Sequence, residues 1–342
     1  MIEIAIITVL LAFAFTFTNG FQDASSIAAT FIASRSASPK SGIIFIAGVS
    51  LLGAILGGSA VAFTIAGLVS LPTEEQMLLV LLIALLTATI WNIITWKFGL
   101  PSSSTHSLIG GMIGAGIAAA GISSIYWGLE ELVNPPHELA GLVKILFFFV
   151  FSILLGFFGS YLMHKCTGVL LRNAKRTVNK PIVFLNWGAA GVMAFSNGAN
   201  DSQKQLGIIA LALFSAGLIT AAEVPLWARV TCAILLALGT MSGGWRIMNT
   251  LGRRIFKIEP IHSFDSQFFS SSSIAISTLA GAPVSSTQVI TMSVLGVGAA
   301  ENPRKVTWSV GTHILIAMIV TIPATMLISA VLYLIASSIT GV

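Results

Sequence analysis

Apolar stretches of about twenty residues or more follow one another along almost the whole chain, separated only by short polar loops. A helix that crosses a bilayer needs about 20 mostly apolar residues, because the hydrocarbon layer is about 30 Å thick. Ten stretches qualify: 3–33, 42–70, 76–98, 104–122 and 139–164 in the first half, and 181–215, 217–241, 261–280, 285–300 and 305–339 in the second. Of the 342 residues, 56% are hydrophobic and 8% charged, against about 25% charged in a soluble domain. So few charges cannot cover a water-facing surface, so lipid must be the solvent for most of the chain. The stretch Met1–Phe17 carries Glu3 instead of a basic leader and runs into a polar motif without a small-residue cleavage site, so it is expected to be the first span.

The net charge of +5 comes from 17 Lys and Arg against 12 Asp and Glu. Its placement argues against nucleic-acid binding. Basic residues gather in alternate loops: Arg35 and Lys40, Lys97, then Lys165, Arg172, Lys175, Arg176 and Lys180, then Arg246, Arg253, Arg254 and Lys257, then Arg304 and Lys305. The loops between them carry Glu74 and Glu75, Glu130, Glu131 and Glu138, and Glu223. The positive-inside rule makes the basic loops cytoplasmic and puts both termini outside. Five spans per half is odd, so a second half of the same hydropathy enters the membrane upside down, the inverted repeat of many secondary transporters. The expected organisation is an N-terminal repeat at 1–164, a basic cytoplasmic linker at 165–180 and an inverted C-terminal repeat at 181–342.

Polar motifs repeat in the same order. Asn19-Gly20-Phe21-Gln22-Asp23 returns as Asn197-Gly198-Ala199-Asn200-Asp201, the aspartates being 178 residues apart (201 − 23). Pro101-Ser102-Ser103-Ser104-Thr105-His106 returns as Pro283-Val284-Ser285-Ser286-Thr287-Gln288, the prolines being 182 apart (283 − 101). Asn19-Gly20 and Asn197-Gly198 sit in the middle of apolar stretches and are expected to break their helices, since freed backbone groups at membrane depth are tolerated where they line a cavity. Asp23 and Asp201 are expensive in lipid and are functional candidates for that reason. Capping of a broken helix is the structural alternative for both. Lys204 lies on nearly the same helix face as Asp201, and can serve either in ion coupling or in mere charge pairing. After each proline, Ser103, Ser104 and Thr105, and Ser285, Ser286 and Thr287, place hydroxyls beside the free N–H groups and positive dipole end of a helix start. Such a convergence is an anion site, or simply a cap. Gln22 and Asn200 are further candidate donors to the anion, and His106 is a candidate contact without a symmetric histidine.

The expected fold is therefore an all-α polytopic membrane protein of about ten to twelve transmembrane segments in two inverted-topology repeats, with broken helices and helical hairpins. The five histidines are scattered, no H-E-x-x-H motif occurs, and Cys166 and Cys232 lack metal spacing. No catalytic residue, metal ligand or cofactor is expected, and the chain is not read as an enzyme.

These motifs resemble the PiT family of inorganic phosphate transporters. Asn19–Asp23 followed by Ser26-Ile27-Ala28-Ala29-Thr30 is similar to the family's N-terminal signature, and Gly198-Ala199-Asn200-Asp201 to its second. Trp91-Asn92, Thr95–Pro101 and Ser102–His106 resemble a stretch of bacterial members, and Pro283–Gln288 resembles its C-terminal counterpart. Gln22 stands where the family often has His, Ala24-Ser25 where it has Thr-Ala, Ser26 where it has Asn, and Lys204 where other forms carry Asn. The resemblance implies secondary transport of inorganic phosphate, alone or as a metal-phosphate complex, across the cytoplasmic membrane. It implies a sodium or proton gradient as the driving force, and Lys204 resembles the proton-coupled bacterial type. Sulfate or a related oxyanion is the alternative cargo on the same fold, and a homodimer is compatible with it. Asp23, Asp201 and Lys204 are the expected ion-coupling residues. Ser26 opposite Lys204, and His106 opposite Gln288, make the two halves inequivalent.

Overall fold

With lipid as the solvent, every backbone N–H and C=O has to be satisfied inside the chain, and the helix does this within one segment. The structure, a computed structural model, describes residues 1–99, 102–135, 137–242 and 255–341. Pro101 of the first hydroxyl motif and the loop cations Arg246, Arg253 and Arg254 lie outside the described residues. Within the described residues the chain forms α1 (Ile2–Ala33), α2 (Pro39–Leu56), α3 (Ala60–Ala66), α4 (Glu74–Phe98), α5 (Ser104–Ala120), the short α6 (Leu129–Val133) and α7 (Gly141–Leu170). The second half continues with α8 (Asn179–Ser215), α9 (Leu226–Ser242), α10 (Pro260–Leu279), α11 (Ser286–Glu301) and α12 (Trp308–Thr340). Among the described residues, five stretches are long and apolar enough to cross a membrane: α1, α2, α4, α7 and Gly311–Thr340 of α12. The chain is a multi-pass membrane protein.

Several expected spans come out differently. The stretch 42–70 divides into α2 and α3 around Gly57-Gly58-Ser59, and 217–241 shortens to α9. The stretches 261–280 and 285–300 become α10 and α11, which lie against each other as a hairpin, as α4 and α5 do. α10 is rich in buried serines, among them Ser263, Ser266, Ser270, Ser273 and Ser277, so it is sheltered by protein and not by lipid.

The expected breaks at Asn19-Gly20 and Asn197-Gly198 are absent: α1 and α8 run through both motifs without interruption. The glycines serve close approach instead. A β-carbon on Gly20 would fall on the Leu236 carbonyl oxygen of α9, and one on Gly239 would fall on the Phe17 carbonyl oxygen of α1. In the other half, a β-carbon on Gly198 would strike the Ser50 carbonyl oxygen of α2, and one on Gly53 the Phe195 carbonyl oxygen of α8. Lipid tails are as apolar as leucine, so helices in a bilayer associate through backbone-level packing of this kind.

The packing pattern maps onto itself when the halves are exchanged. α1 packs on α9 as α8 packs on α2; α5 packs on α12 as α11 packs on α7; α1 packs on α4 as α8 packs on α10. Most of these pairs cross between halves, so the two halves interlock and share one interior. That interlock can be tested at a single atom. Gly198→Ala should destabilise the protein by about 1–3 kcal/mol through overpacking. Gly188→Ala, on the same helix with open space around it, should be neutral or gain up to about 1 kcal/mol from helix propensity. Thermal unfolding of the two variants in detergent checks this, and equal midpoints would refute it.

Candidate functional site

Each hairpin turns through a left-handed glycine. Gly99 (φ 66°) ends α4 and Gly281 (φ 71°) follows α10, and the two are 182 residues apart (281 − 99). Glycine adopts this conformation without a steric penalty. Both next helices start from serines of nearly the same backbone conformation, Ser103 at φ −97°, ψ 113° and Ser285 at φ −98°, ψ 105°. Ser103 Oγ caps α5 by accepting the His106 N–H at 3.1 Å. Ser104 and Thr105, and Ser286 and Thr287, then occupy first turns, as the motif spacing predicts. The two tips meet in the interior: Thr105 Oγ1 donates to the Val284 carbonyl at 2.9 Å, and Gln288 Nε2 lies 2.9 Å from His106 Nδ1.

The long helices reach across to these tips. Asp23 of α1 accepts hydrogen bonds from Ser104 Oγ of the first hairpin and, at 2.8 Å, from Thr287 Oγ1 of the second. Because the Thr287 proton is committed to Asp23, Ser26 Oγ is the donor in its 3.1 Å bond to Thr287 Oγ1. The counterpart in α8 is Lys204, whose Nζ donates to Thr105 Oγ1 and to Asp201 Oδ1. Thus the residue three positions after each aspartate meets the threonine of the opposite half's hairpin, as a hydroxyl in one half and as an ammonium in the other. Lys204 is 0% exposed and both aspartates are 1% exposed. Asp23 also lies within Coulombic reach of Asp201 and Lys204. Fully ionised, the trio sums to one negative charge.

Gln22 and Asn200, expected as donors to the anion, bond to the hairpin tips in this structure. Gln22 Nε2 donates to Thr95 Oγ1 (3.2 Å) and the Ser102 carbonyl (3.1 Å). Asn200 Nδ2 donates to Thr278 Oγ1 (2.9 Å) and the Ala282 carbonyl (3.1 Å), and its Oδ1 accepts from the Val284 N–H at 3.2 Å. A hairpin tip inside the membrane strands backbone groups that need partners, and these amides supply them. Both side-chain polar atoms of Asn19, Oδ1 of Asn197, Oδ2 of Asp201 and the hydroxyls of Ser285 and Ser286 are buried without a partner. An unsatisfied buried polar atom costs about 1–3 kcal/mol, so Ser285 and Ser286 at the second hairpin tip have capacity for a polar ligand. The motifs placed Ser26 opposite Lys204 and included Thr95 but gave neither a contact, and nothing in the sequence marked Thr278.

The Lys204 contacts make the pair sensitive to single replacement. Lys204→Met should destabilise the protein by about 3–5 kcal/mol, because it leaves the Asp201 carboxylate buried and uncompensated. Adding Asp201→Asn should recover most of that loss. The unfolding midpoints of the single and double variants in detergent give the coupling directly, and an unrescued double variant would refute it.

A family model described as the phosphate transporter family matches residues 19–329. The chain is 38% identical over 335 residues to a probable low-affinity inorganic phosphate transporter of Mycobacterium bovis, covering 96% of this chain and 76% of that protein. It is 32% identical over 337 residues to a protein of the same description from Bacillus subtilis, covering 98% of each. A third, from Rhizobium meliloti, is 36% identical over 322 residues, covering 93% of this chain and 92% of the relative. Among solved structures, one titled as the sodium-dependent phosphate transporter superposes with a TM-score of 0.87 at 23% identity, over 98% of this chain and 100% of that one. That likeness supports the fold. The chain belongs to the phosphate transporter family and is a transporter rather than an enzyme.

Proposed function

We propose that the protein carries inorganic phosphate across the cytoplasmic membrane in symport with a proton, by alternating access between two inverted repeats, 1–164 and 181–342, joined by the cytoplasmic linker 165–180. The observation that carries this reading is the crossed bonding at the hairpin tips, where Asp23 accepts hydroxyls from both hairpins and Lys204 bridges Asp201 to Thr105.

Phosphate is held by the two helix starts, with donors from Ser103, Ser104, Thr105, Ser285, Ser286 and Thr287 and from first-turn N–H groups. In the structure Ser104 and Thr287 are already donating to Asp23. An ionised Asp23 therefore competes with the anion for the same hydroxyls and repels it. Protonation removes both obstacles, so proton and phosphate each favour the binding of the other, a reciprocal coupling. Lys204 provides a fixed cation on the Asp201 side, where a mobile sodium ion would otherwise be required. Rocking of one repeat against the other then presents the tips to each side in turn. Gln22 and Asn200 keep the tips rigid through that motion.

In proteoliposomes, labelled phosphate uptake should persist when sodium is removed, rise with external acidity and collapse with a protonophore. Strict sodium dependence would refute the role given to Lys204. Asp201→Asn should abolish uptake, and normal uptake by that variant would refute the mechanism. Asp23→Asn mimics the protonated state, so it should retain phosphate exchange but lose proton-driven accumulation. Arsenate should compete with phosphate, whereas equal competition by sulfate would move the cargo to oxyanions in general.

A further inference from the structure

A second cluster of chemistry-bearing side chains lies at the open end of the α10–α11 hairpin, away from its tip. His164 near the end of α7, His262 in the first turn of α10 and Glu301 at the end of α11 each offer a ligand atom, and these atoms lie within 4.8 Å of one another. His164 and His262 are buried, while the Glu301 side chain is 48% exposed. The cluster forms one wall of a cavity of about 620 Å³ whose other walls include Lys175, Val178 and Asn179 of the basic linker region. The cluster therefore borders a cavity, with the Glu301 side chain as its exposed member.

We propose that His164, His262 and Glu301 form a binding site for a divalent transition-metal ion of the Zn²⁺ class, which clamps the second hairpin to α7. Two imidazoles and one carboxylate, with a fourth position open to water, are a familiar zinc set. His164 Nε2 and Glu301 Oε2 are 3.1 Å apart. Ligand atoms about 2.0–2.1 Å from a tetrahedral ion stand about 3.3 Å from each other, so little movement is needed. His164 is already oriented as a ligand: its Nδ1 lies 2.7 Å from Asp265 Oδ2, and Thr167 Oγ1 holds the other carboxylate oxygen at 3.1 Å. A carboxylate behind a histidine fixes the ring and raises the basicity of its outward nitrogen. The His164 and His262 ring centroids are 5.0 Å apart.

The ion would not bind without cost. His262 Nδ1 accepts the Glu259 N–H at 3.1 Å as part of the α10 cap. Ligation through either ring nitrogen of His262 gives up that bond, so metal loading competes with one cap contact. The site also has no counterpart in the first hairpin. At the 182-residue offset of the hairpin motifs, His262, Asp265 and Glu301 correspond to Val80, Ile83 and Ala119 (262 − 182, 265 − 182, 301 − 182). The cluster therefore does not belong to the duplicated binding machinery. With the linker on the cytoplasmic side, it reports on metal inside the cell, and this last point rests on the transport reading above.

Tag-free protein in detergent, without phosphate, should bind one Zn²⁺ per chain in competition with a chromophoric chelator, and bound Co²⁺ should show the visible absorption of a four-coordinate site. His262→Ala and Glu301→Gln should weaken binding by tenfold or more, and Asp265→Asn by about 10–100-fold as a positioning residue. Glu301→Gln, being half-exposed, covers the case in which His262→Ala fails to fold. Zn²⁺ on the linker side should slow phosphate uptake by the unmodified protein, reversibly with chelator, and leave Glu301→Gln unaffected. Zn²⁺ binding that is absent, or equal in the unmodified protein and the variants, would overturn the site. Specific binding without slowed uptake would overturn the clamp, and because binding is read without transport, neither result depends on the cargo assigned above.

Discussion

A lysine ammonium held at the centre of a membrane protein is tolerable only if its partners are assembled around it, and those of Lys204 come from two elements, Asp201 from its own helix α8 and Thr105 from α5. Desolvating an ammonium costs several kcal/mol even after relaxation. The Asp201 carboxylate offsets that cost from the same helix, and the Thr105 hydroxyl from the hairpin of the other half. Thr105 in turn donates to the Val284 carbonyl of the opposing hairpin tip. One buried cation thus joins α8, the first hairpin and the second hairpin, and the registry of the whole centre depends on it.

The close crossings of α1 with α9 and α8 with α2 set the stage for this centre. Backbone contact at Gly20, Gly239, Gly53 and Gly198 brings the aspartate-bearing helices deep into the opposite half. Asn19 and Asn197 stand one helical turn before Asp23 and Asp201, so the helix face that carries the aspartates is polar just where packing has excluded lipid. An exposed aspartate in lipid would be prohibitive, whereas Asp23 is met by two hydroxyls in a closed interior.

The two halves repeat the same contacts with different chemistry. Ser26 and Lys204 occupy matching places, each bonded to the threonine of the opposite hairpin. The first half's carboxylate accepts one hydroxyl on each oxygen, and the second half pairs its carboxylate with an ammonium while leaving Ser285, Ser286 and one Asp201 oxygen without partners. The frame is matched between the halves, but the charges it carries are not. The His164 cluster adds a third inequality, at the base of one hairpin only.

Much of this was legible in the chain. Apolar length excluded a soluble fold, and the recurrence of the Asn-Gly and Ser-Ser-Thr motifs marked both aspartates and both helix starts, because membrane solvation makes any buried polar residue conspicuous. Local sequence could not decide what those residues touch. Asn-Gly reads as a helix breaker by propensity, yet tertiary packing kept α1 and α8 intact, since a partner helix occupying the space of the absent side chain outweighs the entropy of a single glycine. Gln22 and Asn200 read as ligand donors, and local sequence gave no sign that they also bond to the hairpin tips, where stranded backbone groups need partners. His164, His262 and Glu301, separated by 98 and 39 residues (262 − 164, 301 − 262), carry no spacing that betrays them. Sequence alone therefore determined the solvent, the symmetry of the motifs and the charged residues at issue. The tertiary structure alone decided their pairing, because contacts between residues far apart in the chain are set by which helices pack together.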